Sequence, residues 1–161
     1  MAVRVQRKSF EAGKELTAFL ANRRDSGGIA TFTGIVRDRD ADDPITALTL
    51  EHYPGMTEEM LERIEAEARA RWQLDDSLII HRYGRLEPGE PIVMVLTASA
   101  HRKAAFEACE FLVDWLKTKA PFWKQEETVS GKTRWVAARA TDDEAADHWT
   151  QPKVGGKDAV D

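Results

Sequence analysis

Three groups of basic residues in this chain are of the types that bind or activate anions. Arg37 ends the stretch "TGIVR", and Lys117 and Lys124 lie on either side of "APFW". His101 and Arg102 are adjacent in "SAHR", at the predicted start of a helix. An arginine can hold a phosphate through two parallel hydrogen bonds, and the free N–H groups of a helix N-terminus favour the same ligand. A lysine near other cations and apolar rings has a lowered pKa and can act as a nucleophile or proton donor at neutral pH. The sequence therefore indicates an anion-binding or catalytic pocket.

Each of these residues also has an ordinary structural interpretation. Lys117 stands in the last turn of a predicted helix, where a lysine commonly satisfies the final carbonyl groups, and this interpretation is favoured for Lys117 taken alone. Phe122 and Trp123 are of types found more often in a core than in a substrate platform. Cys109 lies on the apolar line of the same helix and is predicted to be a small buried hydrophobic residue. The other histidines have no metal-ligand spacing with one another; they are His52, His81 and His148.

The elements that must position these residues are predicted from hydrophobic spacing. Alternating patterns predict strands in Val3–Lys8, "IATFTGIVRD", "ITALTLEHY", "SLIIHRYG" and "PIVMVLTAS". Apolar residues at helical spacing predict helices over Glu11–Asn22, from Thr57 to about Arg71 and from about Arg102 to Thr118.

The boundaries of these elements are predicted from capping and turn residues. Ser9 and Thr57 are predicted to cap the first two helices, and Pro121 stops the third at or before Ala120. The stretch "KQEETVSGKTRWVAA" predicts a hairpin that turns at Ser130-Gly131. Strands and helices are mixed without a regular βαβ alternation, so the predicted class is α+β. We expect a single domain over residues 1–149 and a flexible polar tail over residues 150–161.

Composition limits the kind of protein that this chain can be. Its 161 residues, 42% hydrophobic and 32% charged, predict one globular domain. No apolar segment follows Met1, and the longest apolar run, near Ile92–Ala100, is too short to span a bilayer, so the expected location is cytoplasmic. A single cysteine excludes an internal disulfide and a cysteine-based zinc site.

The net charge of -5 is concentrated near the C-terminus. Residues 141–161 carry six acidic and two basic side chains, which leaves 22 acidic and 21 basic residues in the rest of the chain. A near-neutral body is unlike a general nucleic-acid surface, which is usually basic. A non-catalytic nucleotide- or RNA-binding module that uses the same basic residues is kept as an alternative function, and tight binding of nucleic acid at moderate salt would favour it.

The length of the third helix constrains any shared site. His101 and Lys117 stand sixteen positions apart, and a rise of about 1.5 Å per residue places them roughly 24 Å from each other. No small ligand spans that distance within one chain. If both ends serve one active site, Lys117 of one subunit must act with His101 and Arg102 of another, which predicts a homodimer.

Six segments together resemble the large, catalytic subunits of molybdopterin synthase. They are "ATFTGIVRD", "LTLEHYPGMTE", "HRYGRLEPGE", "SAHRKAAFEA", "LKTKAPFWKQE" and "RWVAARA". They follow one another over most of the chain from about Gly28 to Trp149, and "LEHYPGM" and K-x-x-A-P-F-W-K are the most specific. The resemblance implies an α+β fold of the α/β-hammerhead kind, with mostly antiparallel strands and a long helix that ends at the active-site loop.

The resemblance also implies a sulfurtransferase of molybdenum cofactor biosynthesis. Members of this family convert cyclic pyranopterin monophosphate (precursor Z) into molybdopterin by installing two dithiolene sulfurs. The sulfur arrives as a thiocarboxylate on the C-terminal Gly-Gly of a small ubiquitin-like carrier subunit. The large subunits form a homodimer at the centre of a heterotetramer. No metal or redox cofactor is implied for this step.

The site residues implied by the resemblance include all three groups of basic residues. Lys117 corresponds to the principal catalytic lysine and Lys124 to a second lysine of the pocket, which would lower the pKa of Lys117 and stabilise developing negative charge. The residues that the resemblance places at the substrate are Ile35, Val36, Arg37, His101, Arg102, Lys117, Lys124, Gln125, Glu126 and Arg139.

Two features depart from the family pattern. Ile35 follows Gly34 where many members have a lysine, so one positive charge near the pocket is missing. The hairpin around "ETVSGKTRW" does not align at a clear length, which makes Arg139 the weakest assignment. A different sulfurtransferase that carries a persulfide on Cys109 is a further alternative, and it requires an exposed thiol of low pKa.

Overall fold

Strands rich in hydrophobic residues form two four-stranded sheets in the part of the chain that the computed structural model describes, which is residues 2–38, 42–136 and 140–150. The first sheet has the order β1-β4-β6-β2, and the second has the order β5-β3-β7-β8. The strands are β1 (Ala2–Gln6), β2 (Gly28–Ile35), β3 (Ile45–His52), β4 (Asp76–Arg82), β5 (Gly84–Leu86), β6 (Pro91–Ser99), β7 (Phe122–Thr128) and β8 (Thr133–Trp135).

Four helices accompany the sheets in these residues. They are α1 (Ala12–Leu20), α2 (Met56–Arg71), α3 (Arg102–Thr118) and α4 (Ala140–Asp147), and a 3-10 turn over His148–Thr150 follows α4. Only the β1–β4 pair is parallel among the described strand pairs. This mixed architecture confirms the predicted α+β class with mostly antiparallel strands. Arg139 lies outside the described residues, and so does the predicted tail beyond Thr150.

The first sheet is covered by helices on both faces. Buried residues of α2 and α3 pack on one face around Ile79 and Val95, both of which are fully buried. Phe10 and Phe19, before and within α1, pack on the other face. A sheet covered on both faces requires almost continuous hydrophobic strands, and "SLII" and "MVLTA" have that composition.

The second sheet has its own small core. Leu48 and Leu50 of β3 pack there with Leu86 of β5, and Phe122 of β7 lies against them. Val36, immediately after β2, is buried in the same cluster and ties the end of the first sheet to the second. The backbone of Val36 is held by the turn before β6, because its N–H donates to Glu90 O at 2.9 Å.

The α3 helix begins and ends where the sequence predicts. Its apolar line is buried, as Ala105, Cys109, Leu112 and Leu116 show. The helix ends because Pro121 cannot continue it, and the N–H of Lys119 donates to Trp115 O at 2.8 Å in the last turn. Both ends of α3 are therefore fixed by sequence, and β7 begins only four residues after the helix.

The predicted caps of α1 and α2 are wrong. Ser9 does not cap α1, whose N-cap position is Glu11 without a side-chain hydrogen bond. The α2 helix begins at Met56, and Thr57 is buried inside its first turn with its hydroxyl donating to Tyr53 O at 2.8 Å. The chain can enter α2 earlier because Gly55 adopts a φ of 84° and its N–H donates to the Glu58 carboxylate.

The remaining expectations for the elements are confirmed except for two omissions. The hairpin β7–β8 forms, and Gly131 at its turn has a φ of 85°. Sequence patterns did not separate β5 from β4, because "HRYGRL" is continuous in composition although Gly84 redirects it into the second sheet. They also missed α4, whose sequence is half acidic and lacks a strong apolar stripe.

Gly27 allows a close contact that positions the start of α3. A Cβ atom at Gly27 would lie 2.2 Å from the carbonyl oxygen of Ala100, two residues before the helix. We therefore expect Gly27→Ala to lower the free energy of unfolding by roughly 1–3 kcal/mol, measured by urea denaturation. Gly13→Ala is the matched control, because Gly13 lies in α1 with no atom within 4 Å of the added Cβ. The control should stabilise the chain by about 0.5–1 kcal/mol, and equal stability of the two variants would contradict this account.

Candidate functional site

Lys124 lies in the middle of the second sheet at the rim of its core. In the antiparallel pair of β3 and β7 it stands opposite Leu50. Residues directly opposite in such a pair present their side chains on the same face, so Lys124 shares a face with Leu50, which is 1% exposed. Lys124 itself is half-buried. A cation at the edge of an apolar surface is poorly solvated and interacts strongly with an anion brought next to it.

A cluster of aromatic rings borders Lys124. The rings of His81 and Phe122 are stacked, with centroids 3.7 Å apart and an angle of 15° between their planes. The His52 ring lies 6.0 Å from Phe122 and 4.5 Å from Tyr83. His52 is further held by a contact of 3.2 Å between its Nδ1 and the hydroxyl of Thr57. These four rings, His52, His81, Tyr83 and Phe122, are called the ring cluster below.

His81 is neutral within this cluster at neutral pH. Burial lowers its pKa from the ordinary 6.5 to about 4, and the nearby charges of Lys124 and His52 act in the same direction. A hydrogen bond of 2.9 Å joins its Nδ1 to the carbonyl oxygen of Arg82 and opposes that change only in part. The ring cluster therefore contains a neutral imidazole near Lys124.

Lys117 is exposed in the last turn of α3. The C-terminus of a helix carries partial negative charge, which favours an ammonium there. The helix ends one residue later, and residues 119–121 connect it to β7. Lys117 and Lys124 thus stand on either side of one short junction between α3 and β7, as the sequence predicts. This junction presents one exposed and one half-buried lysine.

Arg37 emerges beside the second sheet. It follows Val36, which is 3% exposed and fixed in the core, while Arg37 itself is exposed. The pairing of β2 with β6 shifts register between Gly34 and Ile35, and such an irregularity redirects the strand end. Ile35 is 54% exposed, which is unusual for a large apolar residue in a strand. The structure thus places an exposed apolar residue and an exposed arginine on either side of a buried anchor.

Gln125 and Glu126 continue β7 beyond Lys124. Gln125 is opposite Thr49 in β3, and Glu126 is opposite Leu48. The Glu126 carboxylate accepts a hydrogen bond of 2.8 Å from Arg134 in β8, so its charge is balanced within the hairpin. The backbone of both residues is paired with β3 on one side and with β8 on the other.

His101 and Arg102 are exposed at the other end of α3. A Cβ atom at Gly28 would lie 3.4 Å from Arg102 Cα, so the glycine allows β2 to pass close beneath the helix start. The N–H of His101 faces the hydroxyl of Ser99 at 3.3 Å, which orients the chain as it enters the helix. Within one chain this pair is separated from the α3–β7 junction by the whole helix, roughly 24 Å.

The structure therefore divides the predicted residues into two groups. The first group lies in β7 or in the chain segments that lead into the second sheet. It consists of Ile35, Val36, Arg37, Lys117, Lys124, Gln125 and Glu126. The other is His101 with Arg102. Two shallow grooves along β1 and α1 include none of these residues. No group of three or more His, Cys, Asp or Glu side chains is placed to hold a metal ion within residues 2–38, 42–136 and 140–150.

The ring cluster is not apparent from the sequence. The spacing of His52 and His81 does not fit a metal site, and Phe122 is of a type common in cores. The available signal was that both histidines stand near the ends of strands and within two residues of a tyrosine, in "EHY" and "HRY". Only the pairing of β3 with β7 and the contact between the sheets bring them together.

Comparison with known proteins identifies the family of this chain. The family model described as MoaE protein matches residues 5–119. The molybdopterin synthase catalytic subunit of Pseudomonas aeruginosa is 52% identical over 151 residues, which cover 94% of this chain and 100% of that relative. The chain belongs to the MoaE family.

Solved structures agree with this assignment. The molybdopterin biosynthesis MoaE protein from Burkholderia ambifaria MC40-6 is 49% identical and matches with a TM-score of 0.78, covering 94% of this chain and 100% of that one. A protein complex of subunits 1 and 2 of the molybdopterin-converting factor from Helicobacter pylori 26695 has a chain of the same fold, with a TM-score of 0.71 at 22% identity over 85% of this chain and 91% of that one. In the described part of this MoaE chain, no helix is long and apolar enough to cross a membrane.

Cys109 is not exposed as a persulfide carrier would require. It is 6% exposed, and burial raises the pKa of its thiol to about 12. We expect thiol reagents to modify Cys109 much more slowly in the native protein than in urea, followed by absorbance or mass spectrometry. Cys109→Ala should retain sulfur transfer. Rapid native labelling, together with loss of activity in a folded Cys109→Ala variant, would instead support the persulfide alternative.

The lowered pKa of His81 predicts an acid-sensitive stability. Between about pH 6.5 and pH 4 the unfolded chain binds a proton at this imidazole and the native chain does not. This contribution to the free energy of unfolding therefore falls as pH falls through that window, by at most about 1.4 kcal/mol per pH unit. Urea titrations should show the slope in wild type and a smaller slope in His81→Phe. His148→Gln, at an exposed histidine, is the control and should keep the wild-type slope. Parallel pH profiles for wild type and His81→Phe would contradict the assignment.

Proposed function

We propose that this MoaE chain is the catalytic subunit of a molybdopterin synthase. It transfers sulfur from the C-terminal thiocarboxylate of a small ubiquitin-like carrier subunit to cyclic pyranopterin monophosphate, and so builds the dithiolene of molybdopterin. The observation that carries this proposal is the α3–β7 junction in a chain of this family, where an exposed Lys117 and a half-buried Lys124 stand only seven positions apart. The reaction needs sites for two anions, a thiocarboxylate and a cyclic phosphate, and the basic residues supply both.

Lys117 is proposed to bind the thiocarboxylate. Its ammonium is exposed at the end of a rigid helix, so an incoming carrier tail reaches it without rearrangement of the core. The sulfur bonds to a carbon of the pterin side chain and displaces an oxygen substituent of that carbon. Water then attacks the carrier's acyl carbon, which leaves the sulfur on the pterin and a carboxylate on the carrier. Negative charge develops on the acyl oxygen in this second step. Lys124, half-buried at the rim of the second core, is positioned to stabilise that charge.

The pterin phosphate is proposed to bind between Arg37 of one subunit and His101 with Arg102 of the other. The length of α3 supports this arrangement, because one chain cannot bring both of its ends to the same small ligand. A homodimer with a carrier subunit on each side, a heterotetramer, satisfies the constraint. Ile35, Val36, Gln125 and Glu126 would line the same pocket.

Arg139 is proposed as a further member of the site. Three positions before it, the N–H of Val136 donates to Lys124 O at 2.8 Å, so the described chain is next to Lys124 where the segment begins. Residues 1–149 are proposed to act as one domain, with 150–161 as a polar tail. We also place the reaction in the cytoplasm, which fractionation of cells that produce the full chain would test.

Replacing the helix-end lysine tests its catalytic role. Lys117→Ala should lower the rate of molybdopterin formation by roughly a hundredfold or more, because it removes the proposed partner of the thiocarboxylate. The assay supplies cyclic pyranopterin monophosphate and a thiocarboxylated carrier. Lys119→Ala is the matched control, since Lys119 is exposed and caps the same helix. Equal activity of both variants would show that Lys117 has no catalytic role. If the wild-type chain forms no molybdopterin with a competent carrier, the proposed function is wrong.

Sharing of the site between subunits predicts complementation. Arg102→Ala and Lys117→Ala homodimers should each be nearly inactive, because each lacks one half of both sites. After subunit exchange about half of the dimers are mixed, and each mixed dimer has one intact site, so about a quarter of wild-type activity should return. Native mass spectrometry would verify that mixed dimers have formed. If activity still does not return, Arg102 and Lys117 of the same chain serve one site, and the shared site is wrong.

A further inference from the structure

His81 is a buried titratable residue for which the proposed mechanism has no role. It lies near the end of β4, is 5% exposed, and has Val5 of β1 and Val93 of β6 as its register partners. Burying a polar side chain costs free energy unless its hydrogen-bonding groups are satisfied. A purely apolar residue would pack at this position without that cost, so a specific function of the imidazole would explain its presence.

The imidazole of His81 supports the strand that carries Lys124. Phe122, the first residue of β7, is stacked on it at 3.7 Å. Lys124 follows two residues later, so the side chains of Phe122 and Lys124 leave β7 on the same face. Aromatic stacking that fixes Phe122 therefore fixes the part of β7 from which Lys124 extends.

Phe122 also lies near a second histidine, His52. His52 is its register partner in β3, and the two ring centroids are 6.0 Å apart. The Thr57 hydroxyl at 3.2 Å and the Tyr83 ring at 4.5 Å hold His52 in turn. Phe122 thus lies near a histidine of each sheet, and its stack on His81 is a contact between the two sheets.

The tautomer of His81 follows from its hydrogen bond. A carbonyl oxygen only accepts, so the contact of 2.9 Å with Arg82 O requires the proton on Nδ1. The titratable groups that influence the ring from neighbouring strands are Lys124 on β7 and His52 on β3, and both disfavour a positive charge on it. A neutral ring adds no repulsion to the ammonium of Lys124, whereas a protonated ring would push that ammonium away.

We propose that His81 is a positioning residue for Lys124: its buried imidazole stacks on Phe122 and thereby holds the Lys124 ammonium at the reacting thiocarboxylate. The role in turnover rests on the proposed function, while the effect on Lys124 itself does not. Since His81 acts through Phe122, its loss should lower kcat and leave KM for the carrier nearly unchanged.

The test compares three variants. His81→Ala removes the ring, His81→Phe keeps a ring that can stack on Phe122, and Ile80→Ala removes a buried side chain that packs on the opposite face of β4. For each, we would measure the melting temperature, kcat and KM with thiocarboxylated carrier, and the pH dependence of Lys124 acetylation by acetic anhydride, quantified by mass spectrometry. Exposed Lys14 provides the internal reference for labelling.

The proposal expects a pattern that a general loss of stability would not produce. His81→Ala should lose about tenfold or more in kcat with KM within about twofold, and the pH midpoint of Lys124 labelling should move by about half a unit or more. His81→Phe should recover most of kcat, and Ile80→Ala should keep kcat and the labelling midpoint despite a comparable loss of melting temperature. Equal losses in His81→Ala and Ile80→Ala, or an unchanged labelling midpoint in His81→Ala, would overturn the proposal.

Two further results keep the outcome decisive. If wild type forms no molybdopterin, the proposed function fails, and the labelling profiles alone decide whether His81 positions Lys124. If His81→Ala does not fold, the wild-type protein labelled with nitrogen-15 at histidine supplies the answer. Its long-range proton–nitrogen spectrum at pH 7 should show a neutral His81 with the proton on Nδ1, and a protonated ring or the Nε2–H tautomer would overturn the proposal.

Discussion

Burial of one side of α3 against the first sheet determines where the basic residues of the site can lie. Ala105, Cys109 and Leu112 are buried in that contact, so the helix cannot slide or rotate without exposing apolar surface. Its two ends are consequently held about 24 Å apart, with Arg102 at one and Lys117 at the other. A single subunit can therefore supply only one half of a site that needs both, and the dimeric arrangement proposed here is a consequence of helix packing.

The junction between the two sheets is the second feature that determines where the basic residues can lie. The first sheet is closed on both faces by helices, while the second has a small core to which Val36 and Phe122 contribute from its edges. Because β7 starts only four residues after α3, the position of Lys124 depends on how that strand joins the second sheet. The stack of Phe122 on His81 makes this joint specific, since two flat rings at 3.7 Å allow little lateral freedom.

The two lysines differ in environment, and this difference fits the different tasks proposed for them. Lys117 is exposed at a helix end and accessible to a flexible, anionic tail. Lys124 is half-buried beside aromatic rings, where water screens its charge less and an oxyanion gains more from its proximity. Cys109 is poorly suited to carry sulfur, because it is buried and burial raises the pKa of its thiol to about 12. This agrees with the separate sulfur carrier of the proposed function.

The sequence by itself determined the α+β class, the limits of α3, the alternation of β2 and the basic residues worth considering. These depend on local patterns: a strict apolar line, a proline that ends a helix, and residues that alternate between two faces. Local signals failed at the start of α2, where the φ of 84° at Gly55 overrides the capping preference of Thr57, and at β5, where a positive φ at Gly84 moves the chain between sheets. Only the tertiary structure decided that His52, His81 and Phe122 meet beside Lys124. Their contacts join β3, β4 and β7 across two sheets, and no spacing along the chain encodes which strands become neighbours.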